Sequence, residues 1–268
     1  MSEVSESVDV IIPVYNGANF IEKAIESVMA QTNAIIGKII VVNDGSSDAT
    51  VSVIQAMNLP NLELITTPNR GVAAARNAGV AAAKSKWIAF LDADDYWHSD
   101  KLEKQLTMAR QHKVSFICSA TDLISKRTEG IISFVSMWKG NFISTSTVVM
   151  SRELAQEIKP LFRLDMTFAE DYATWFRILA VNAGYFTPQI LSQYYVSPMP
   201  NYRLGSIFWN LMILQIECIL FLLRGNIPVI RKFIGLLALV SGTSISIFSI
   251  LKRFISAYMR KYQSPSIK

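Results

Sequence analysis

The sequence predicts an α/β domain built on a mainly parallel sheet, and three observations carry that expectation. Four short runs of strand character alternate with three segments of helical character inside the first hundred residues. The runs close on polar or Gly-bearing turns. The chain is 268 residues long and 51% hydrophobic, ample for a core covered by helices on both faces of a sheet.

Val8 to Tyr15 reads as a buried strand that ends at Asn16-Gly17. A helix follows, with Ile21, Ala24, Ile25, Val28 and Met29 on one face and Asn19 as the expected N-cap. Lys38 to Asn43 is the second strand, and Asp48 is placed to cap a helix reaching Met57. Leu62 to Thr66 is the third strand, Gly71 to Lys84 an Ala-rich helix, and Trp87 to Leu91 the fourth strand. Asp100 and Glu103 have the spacing of a capping box before a helix to about Gln111, and Val114 to Ile124 returns to strand character. Residues 125–165 mix short apolar runs with Ser, Thr and Lys and are expected to form irregular strands around an acceptor cleft. In such a sheet a ligand binds at the carboxyl ends of the strands.

The composition changes near Pro198 to Pro200, which divides the chain into a domain over 1–200 and a helical extension over 201–268. The net charge is +5, but Arg224 to Lys268 holds eight basic and no acidic residues, so that tail carries +8 and leaves −3 on residues 1–223. The tail is also rich in Ile, Leu and Phe, which favours an anionic membrane surface over nucleic acid as its partner. Arg203, Ser206, Asn210, Glu217 and Arg224 share one helical face. Phe233 to Leu251 is uncharged throughout, yet Gly242, Ser246 and Ser249 trace a polar stripe on it, so a helix lying in the interface is preferred to a span. Cys118 and Cys218 both sit in apolar stretches, which gives no disulfide framework and suits a reducing compartment. Met1 to Asp9 lacks the basic segment and apolar core of a secretory signal, so the expected location is cytoplasmic, peripheral on the inner face of the cell membrane.

Four polar constellations interrupt this pattern. Asp44, in Asn43-Asp44-Gly45-Ser46-Ser47-Asp48, closes the second strand, where a carboxylate can accept hydrogen bonds from a base or ribose; as a plain alternative the loop is a turn and a cap. Asn69-Arg70-Gly71 opens the third helix, whose N-terminus attracts phosphate, and Arg70 or Arg76 can neutralise charge there; the same segment also reads as ordinary helix packing. Asp92, Asp94 and Asp95 crowd the end of the fourth strand, and close like charges favour a shared hard cation such as Mg²⁺ or Mn²⁺ over an exposed acidic turn. Glu170 and Asp171 open an amphipathic helix, either as partners of its dipole or as a base for an attacking hydroxyl.

Taken in order, Val10-Ile11-Ile12-Pro13-Val14-Tyr15-Asn16, Asn43 to Asp48, Asn69 to Gly79, Asp92-Ala93-Asp94-Asp95 and Glu170-Asp171 resemble family 2 glycosyltransferases over residues 8–182. The resemblance implies a GT-A nucleotide-diphospho-sugar transferase fold, to which the composition after residue 200 adds a C-terminal amphipathic helical extension. It also implies transfer of a sugar, with inversion, from a nucleotide-diphospho-sugar donor to a glycan or lipid-linked acceptor in bacterial surface polysaccharide synthesis. Carried onto this chain, it assigns Pro13, Tyr15 and Asp44 to the nucleoside and Gly71 with Arg76 to the nucleotide. Asp92 and Asp94 become the pair for Mn²⁺ or Mg²⁺, and Asp171 the general base supported by Glu170. The family's Asp-Asp-Gly is Asn43-Asp44-Gly45 here, and its Gln-x-x-Arg-Trp signature of processive synthases is absent, so one addition per encounter is expected. Where relatives place a His after the following strand, this chain has Tyr194-Tyr195-Val196.

Two other functions compete. A non-catalytic nucleotide-sugar-binding scaffold needs no base, so Glu170-Asp171 speaks against it. A nucleotidyltransferase needs a cationic Gly-rich loop after the first strand, and Tyr15-Asn16-Gly17-Ala18-Asn19 supplies no cation.

Overall fold

The structure is a computed structural model that describes residues 6–122, 127–137, 141–166 and 169–194. The expected extension over 201–268, its interfacial helix, the boundary near Pro198 and Tyr195 all lie outside the described residues.

The first half follows the expected alternation: β1 (Ser7–Val14), α1 (Ile21–Met29), β2 (Ile35–Asn43), α2 (Thr50–Ala56), β3 (Leu62–Thr66), α3 (Val72–Ala82) and β4 (Trp87–Phe90). After it come β5 (Tyr96–Trp97), α4 (Lys101–His112), β6 (Phe116–Thr121), β7 (Gly130–Ile132), β8 (Val149–Ser151), α5 (Arg152–Glu157), α6 (Glu170–Val181) and β9 (Gly184–Gln193). One sheet runs β3-β2-β1-β4-β8-β6-β9-β5, with β7 also on β9. The pairs β3-β2, β2-β1 and β1-β4 are all parallel, as the helical crossovers require.

Beyond β4 the sheet is mixed, because β8 enters antiparallel between β4 and β6. The region expected to hold irregular strands instead holds β7, β8, α5 and two tight turns of 3₁₀ helix at Phe134–Met137 and Thr145–Thr147.

Strand alternation divides the core in two. Ile11, Ile40, Val42, Phe90, Phe116 and Trp175 pack on one face, under α3 and α6. Val8, Val10, Ile12, Ile39 and Val41 pack on the other, where α1 contributes Ile21, Ala24, Ile25 and Val28 and α4 contributes Leu102 and Leu106. Trp175 anchors the first face, edge-on to Phe162 at 5.7 Å between ring centroids, while Phe162 meets Phe90 at 5.4 Å.

Two expected caps are absent. Asn19 does not cap α1; Phe20 occupies the N-cap with no side-chain bond, and Gly17 O takes the amides of Phe20 and Ile21. Asp100 does stand at the N-cap of α4 but forms no capping box, because its carboxylate pairs with Lys104 at 2.6 Å one turn on. Asp48, one residue ahead of the N-cap of α2, accepts from the Thr50 amide at 3.0 Å and also from the Ala18 amide at 3.1 Å, so it joins two loops as well as a helix end.

Candidate active site

Register places the ends of the parallel strands together. Val14 pairs with Asn43 and Asn43 with Thr66, so the loops after β1, β2 and β3 share one edge of the sheet. Leu91 N donates to Ile11 O, which brings the start of the acidic loop to the same edge. Tyr15, 54% exposed, is the open surface of that edge, while Pro13 is buried within β1 opposite Val42.

Asp44 is almost fully buried, and its carboxylate accepts from the amides of Arg70 at 2.9 Å and Gly71 at 2.8 Å and from the Thr67 hydroxyl at 3.3 Å. It therefore shapes the start of α3, with one acceptor direction still unclaimed on Oδ2. Gly71 has φ +88°, a conformation that disfavours a side chain, and a Cβ there would meet nothing within 4 Å. The backbone at Gly71 is thus sterically open to a ligand, although its amide is taken by Asp44.

The acidic loop after β4 is held from below by Ser146, a residue that charge patterns in the sequence do not reveal. Its hydroxyl accepts from Asp92 N at 3.0 Å and donates to Asp95, while its carbonyl takes bonds from Trp97 Nε1 at 2.8 Å and Ser192 Oγ at 3.1 Å. Asp95 is drawn inward and buried, whereas Asp92 and Asp94 stay partly exposed. Burial first, and then the charge of Asp92, push the Asp94 carboxyl above its ordinary value.

That conflict fits a hard cation, since two partly exposed carboxylates are the usual protein share of a Mg²⁺ or Mn²⁺ site. Among the described residues no group of three or more His, Cys, Asp or Glu gathers to hold a metal, so substrate oxygens and water would complete the shell.

Arg76 is buried between two carboxylates. Its Nη2 meets Asp92 Oδ1 at 2.7 Å and its Nη1 meets Glu170 Oε1 at 2.8 Å. Burial lowers the guanidinium's proton affinity, but Asp92 and Glu170 outweigh it and hold the charge firmly in place. The side chain expected beside the nucleotide therefore points into the protein, at 4% exposure, and links the acidic loop to α6.

At the start of α6, Ala169 takes a left-handed conformation, φ +61°, and sends Glu170 and Asp171 in different directions. Glu170 turns to Arg76. Asp171 accepts from Asn141 Nδ2 at 3.0 Å, and Asn141 is itself oriented by the Ile143 amide at 3.1 Å. Burial, reinforced by the charge of Glu170 and opposed by Arg76, pushes the Asp171 carboxyl up to about 7.

Tyr194 follows β9, beyond the pair that Gln193 makes with Tyr96. Burial and then the charges of Asp92, Asp95, Asp94 and Asp171 raise its hydroxyl above the ordinary range. Asn141 and Ser146 thus touch the acidic residues of the candidate site without a motif to announce them. Tyr194 opens the segment in which the family resemblance leads one to expect a His.

The sequence profile of glycosyl transferase family 2 matches residues 9–158. An Escherichia coli protein, the UDP-Glc:alpha-D-GlcNAc-diphosphoundecaprenol beta-1,3-glucosyltransferase WfgD, is 32% identical over 71% of this chain and 77% of its own length. An uncharacterized glycosyltransferase of Rickettsia prowazekii is 30% identical over 70% of this chain, which spans only 63% of that protein. Among solved structures, S. aureus TarS 1-349 in complex with UDP shares the fold with a TM-score of 0.69 at 18% identity, over 84% of this chain and 68% of that one.

Proposed function

Because this chain belongs to glycosyl transferase family 2, with an α/β GT-A fold and the glycosyl-transferring activity of that family, we propose that it transfers a single sugar, with inversion, from a nucleoside-diphosphate donor to an acceptor hydroxyl. One observation supports this reading above the rest: a single guanidinium, Arg76, holds Asp92 of the donor-side loop at one end and Glu170, next to Asp171, at the other. Carboxylates suited to a diphosphate's counter-ion and the helix end that carries a carboxylate suited to a base are therefore linked through one side chain.

In this mechanism Pro13 and Tyr15 flank the nucleoside, and Asp44 fixes the loop whose open backbone at Gly71 receives the nucleotide. Arg76 serves that half of the site from beneath, through the carboxylates it holds. Asp92 and Asp94 would hold Mn²⁺ or Mg²⁺, which when bound neutralises charge on the departing diphosphate. Asp171 takes the proton of the acceptor hydroxyl as that oxygen attacks the anomeric carbon. Its raised proton affinity suits a base that works near neutral pH, and Asn141 keeps its carboxylate aimed.

The acceptor is proposed to be lipid-linked, as the E. coli relative's acceptor is by its name, with the chain held at the inner membrane surface by its basic, apolar tail. A UDP-sugar is the first donor to test. A thermal-shift screen of nucleotide-sugars with and without Mn²⁺ tests the reading, because a ligand bound only by the native state raises the melting temperature. A shift seen with nucleoside-diphosphate sugars and enlarged by Mn²⁺ is expected; no shift with any of them counts against the proposal.

A further inference from the structure

Arg76 is the cation through which three separately encoded segments meet. It stands in the second turn of α3, whose first residues carry the open backbone at Gly71. One arm reaches the loop after β4 and the other reaches the first residue of α6. Its flank lies over the ring of Phe162 at 5.3 Å, and α3 is tied to the segment between α5 and α6 by reciprocal bonds between Asn77 and the Phe162 backbone, at 2.7 and 2.9 Å. A guanidinium gripped by two carboxylates and an aromatic face cannot swing out to a ligand without leaving two partly buried carboxylates without that partner.

We propose that Arg76 is a positioning residue that ties the donor-side carboxylate Asp92 to the helix carrying Asp171, and so fixes the distance and the charge between the two ends of the site. The proposal rests on the reading of Asp171 as the base. Its geometric half follows from the two ion pairs: Asp92 is left one oxygen for a ligand, and Glu170 cannot compete with Asp171 for the acceptor's proton. Its electrostatic half follows from the groups that face Asp171. These are Glu170 on its own helix, Arg76 from α3, Asp92 from the loop after β4 and the Tyr194 phenol beyond β9. Among them Arg76 is the cation, so it favours the ionised base, and Glu170 opposes it.

Two neighbouring variants are therefore expected to move the pH profile in opposite directions, which a merely structural residue would not do. In Arg76→Gln the acid limb of kcat/KM moves to higher pH and kcat falls by about 10²-fold. In Glu170→Gln the limb moves to lower pH. Arg76→Lys keeps the charge but loses the two-armed grip, so kcat falls while the limb stays near its wild-type position. The dissociation constant of UDP, measured by calorimetry with chelator present so that Asp92 has no cation to hold, changes little in all three.

Should Arg76→Gln fail to fold, Glu170→Gln and Arg76→Lys still carry the comparison. Weaker UDP binding in Arg76→Lys with kcat and pH profile intact would overturn the proposal and return Arg76 to the nucleotide. Asp171→Asn separates the two ideas. If it is inactive while the limb stays fixed in the Arg76 and Glu170 variants, the positioning role is wrong and the base stands; if it is fully active, the base assignment itself is wrong.

Discussion

Asn141 donates to Asp171 Oδ2 at 3.0 Å, and the Ile143 amide fixes which face of the Asn141 amide does so. The orientation of the proposed base is thus set by a residue thirty positions away in a segment without a recognisable motif. Asp171 is otherwise governed by burial and by Glu170, which keep its proton up to about pH 7.

The ionised form is the competent one, so kcat/KM should rise with pH on the acid side and level off above about 7. The sign for stability is the reverse. A carboxyl whose folded-state affinity for the proton exceeds its unfolded one contributes stability in full below about 3.9 and loses it as pH rises through about 7. Asp171→Asn should therefore melt at higher temperature than wild type on the alkaline side of neutrality, and matching melting curves there would contradict the raised proton affinity of Asp171.

Asp94 has no described counter-charge, and burial and Asp92 both disfavour its ionised form. Asp94→Ala should weaken Mn²⁺-dependent binding of a nucleoside diphosphate by roughly tenfold or more, since a carboxylate is lost from a two-carboxylate site. Calorimetry with and without chelator measures it, and identical affinities in both proteins would remove Asp94 from the cation site.

Asp9 tests the fold rather than the site. It is 1% exposed and accepts from the amides of Lys38 at 2.8 Å, Lys84 at 2.6 Å and Ser85 at 2.8 Å, besides the Ser85 hydroxyl. Burial alone would raise its proton affinity, but those bonds outweigh it and hold the carboxyl below its usual value. Asp9→Ala should cost about 3 kcal/mol in denaturant unfolding. The stabilisation from Asp9 is present above about pH 4 and is lost as pH falls through its depressed folded-state value, so the gap between the two proteins should narrow in acid.

Gly79 is required for packing. A Cβ there would lie 2.4 Å from Ile11 Cγ2, inside the contact of α3 with β1. Gly79→Ala should destabilise by about 1–3 kcal/mol. Combining it with Ile11→Ala should cost less than the two changes summed, because the truncated side chain removes the clash.

The parallel half of the fold was legible because its strands are short, largely apolar runs closed by turns and α1 has a clear apolar face in Ile21, Ala24, Ile25 and Val28. The acidic loop and the Glu170-Asp171 pair were legible because clustered carboxylates are costly without a purpose. What escaped depends on contacts far apart in sequence. Residues 125–165 carry no strong period, since β7 and β8 are three residues long and the Thr145–Thr147 turn acts through the Ser146 hydroxyl and carbonyl. Arg76 was legible as a charge near phosphate, but its partners are 16 and 94 positions away, and only tertiary structure shows that both are carboxylates.

Donor binding and sugar transfer measured side by side in wild type and Asp171→Asn test the central claim most directly. The account predicts UDP-sugar affinity within about threefold of wild type and transfer reduced by about 10²-fold or more in the variant. Transfer at the wild-type rate by Asp171→Asn would contradict it.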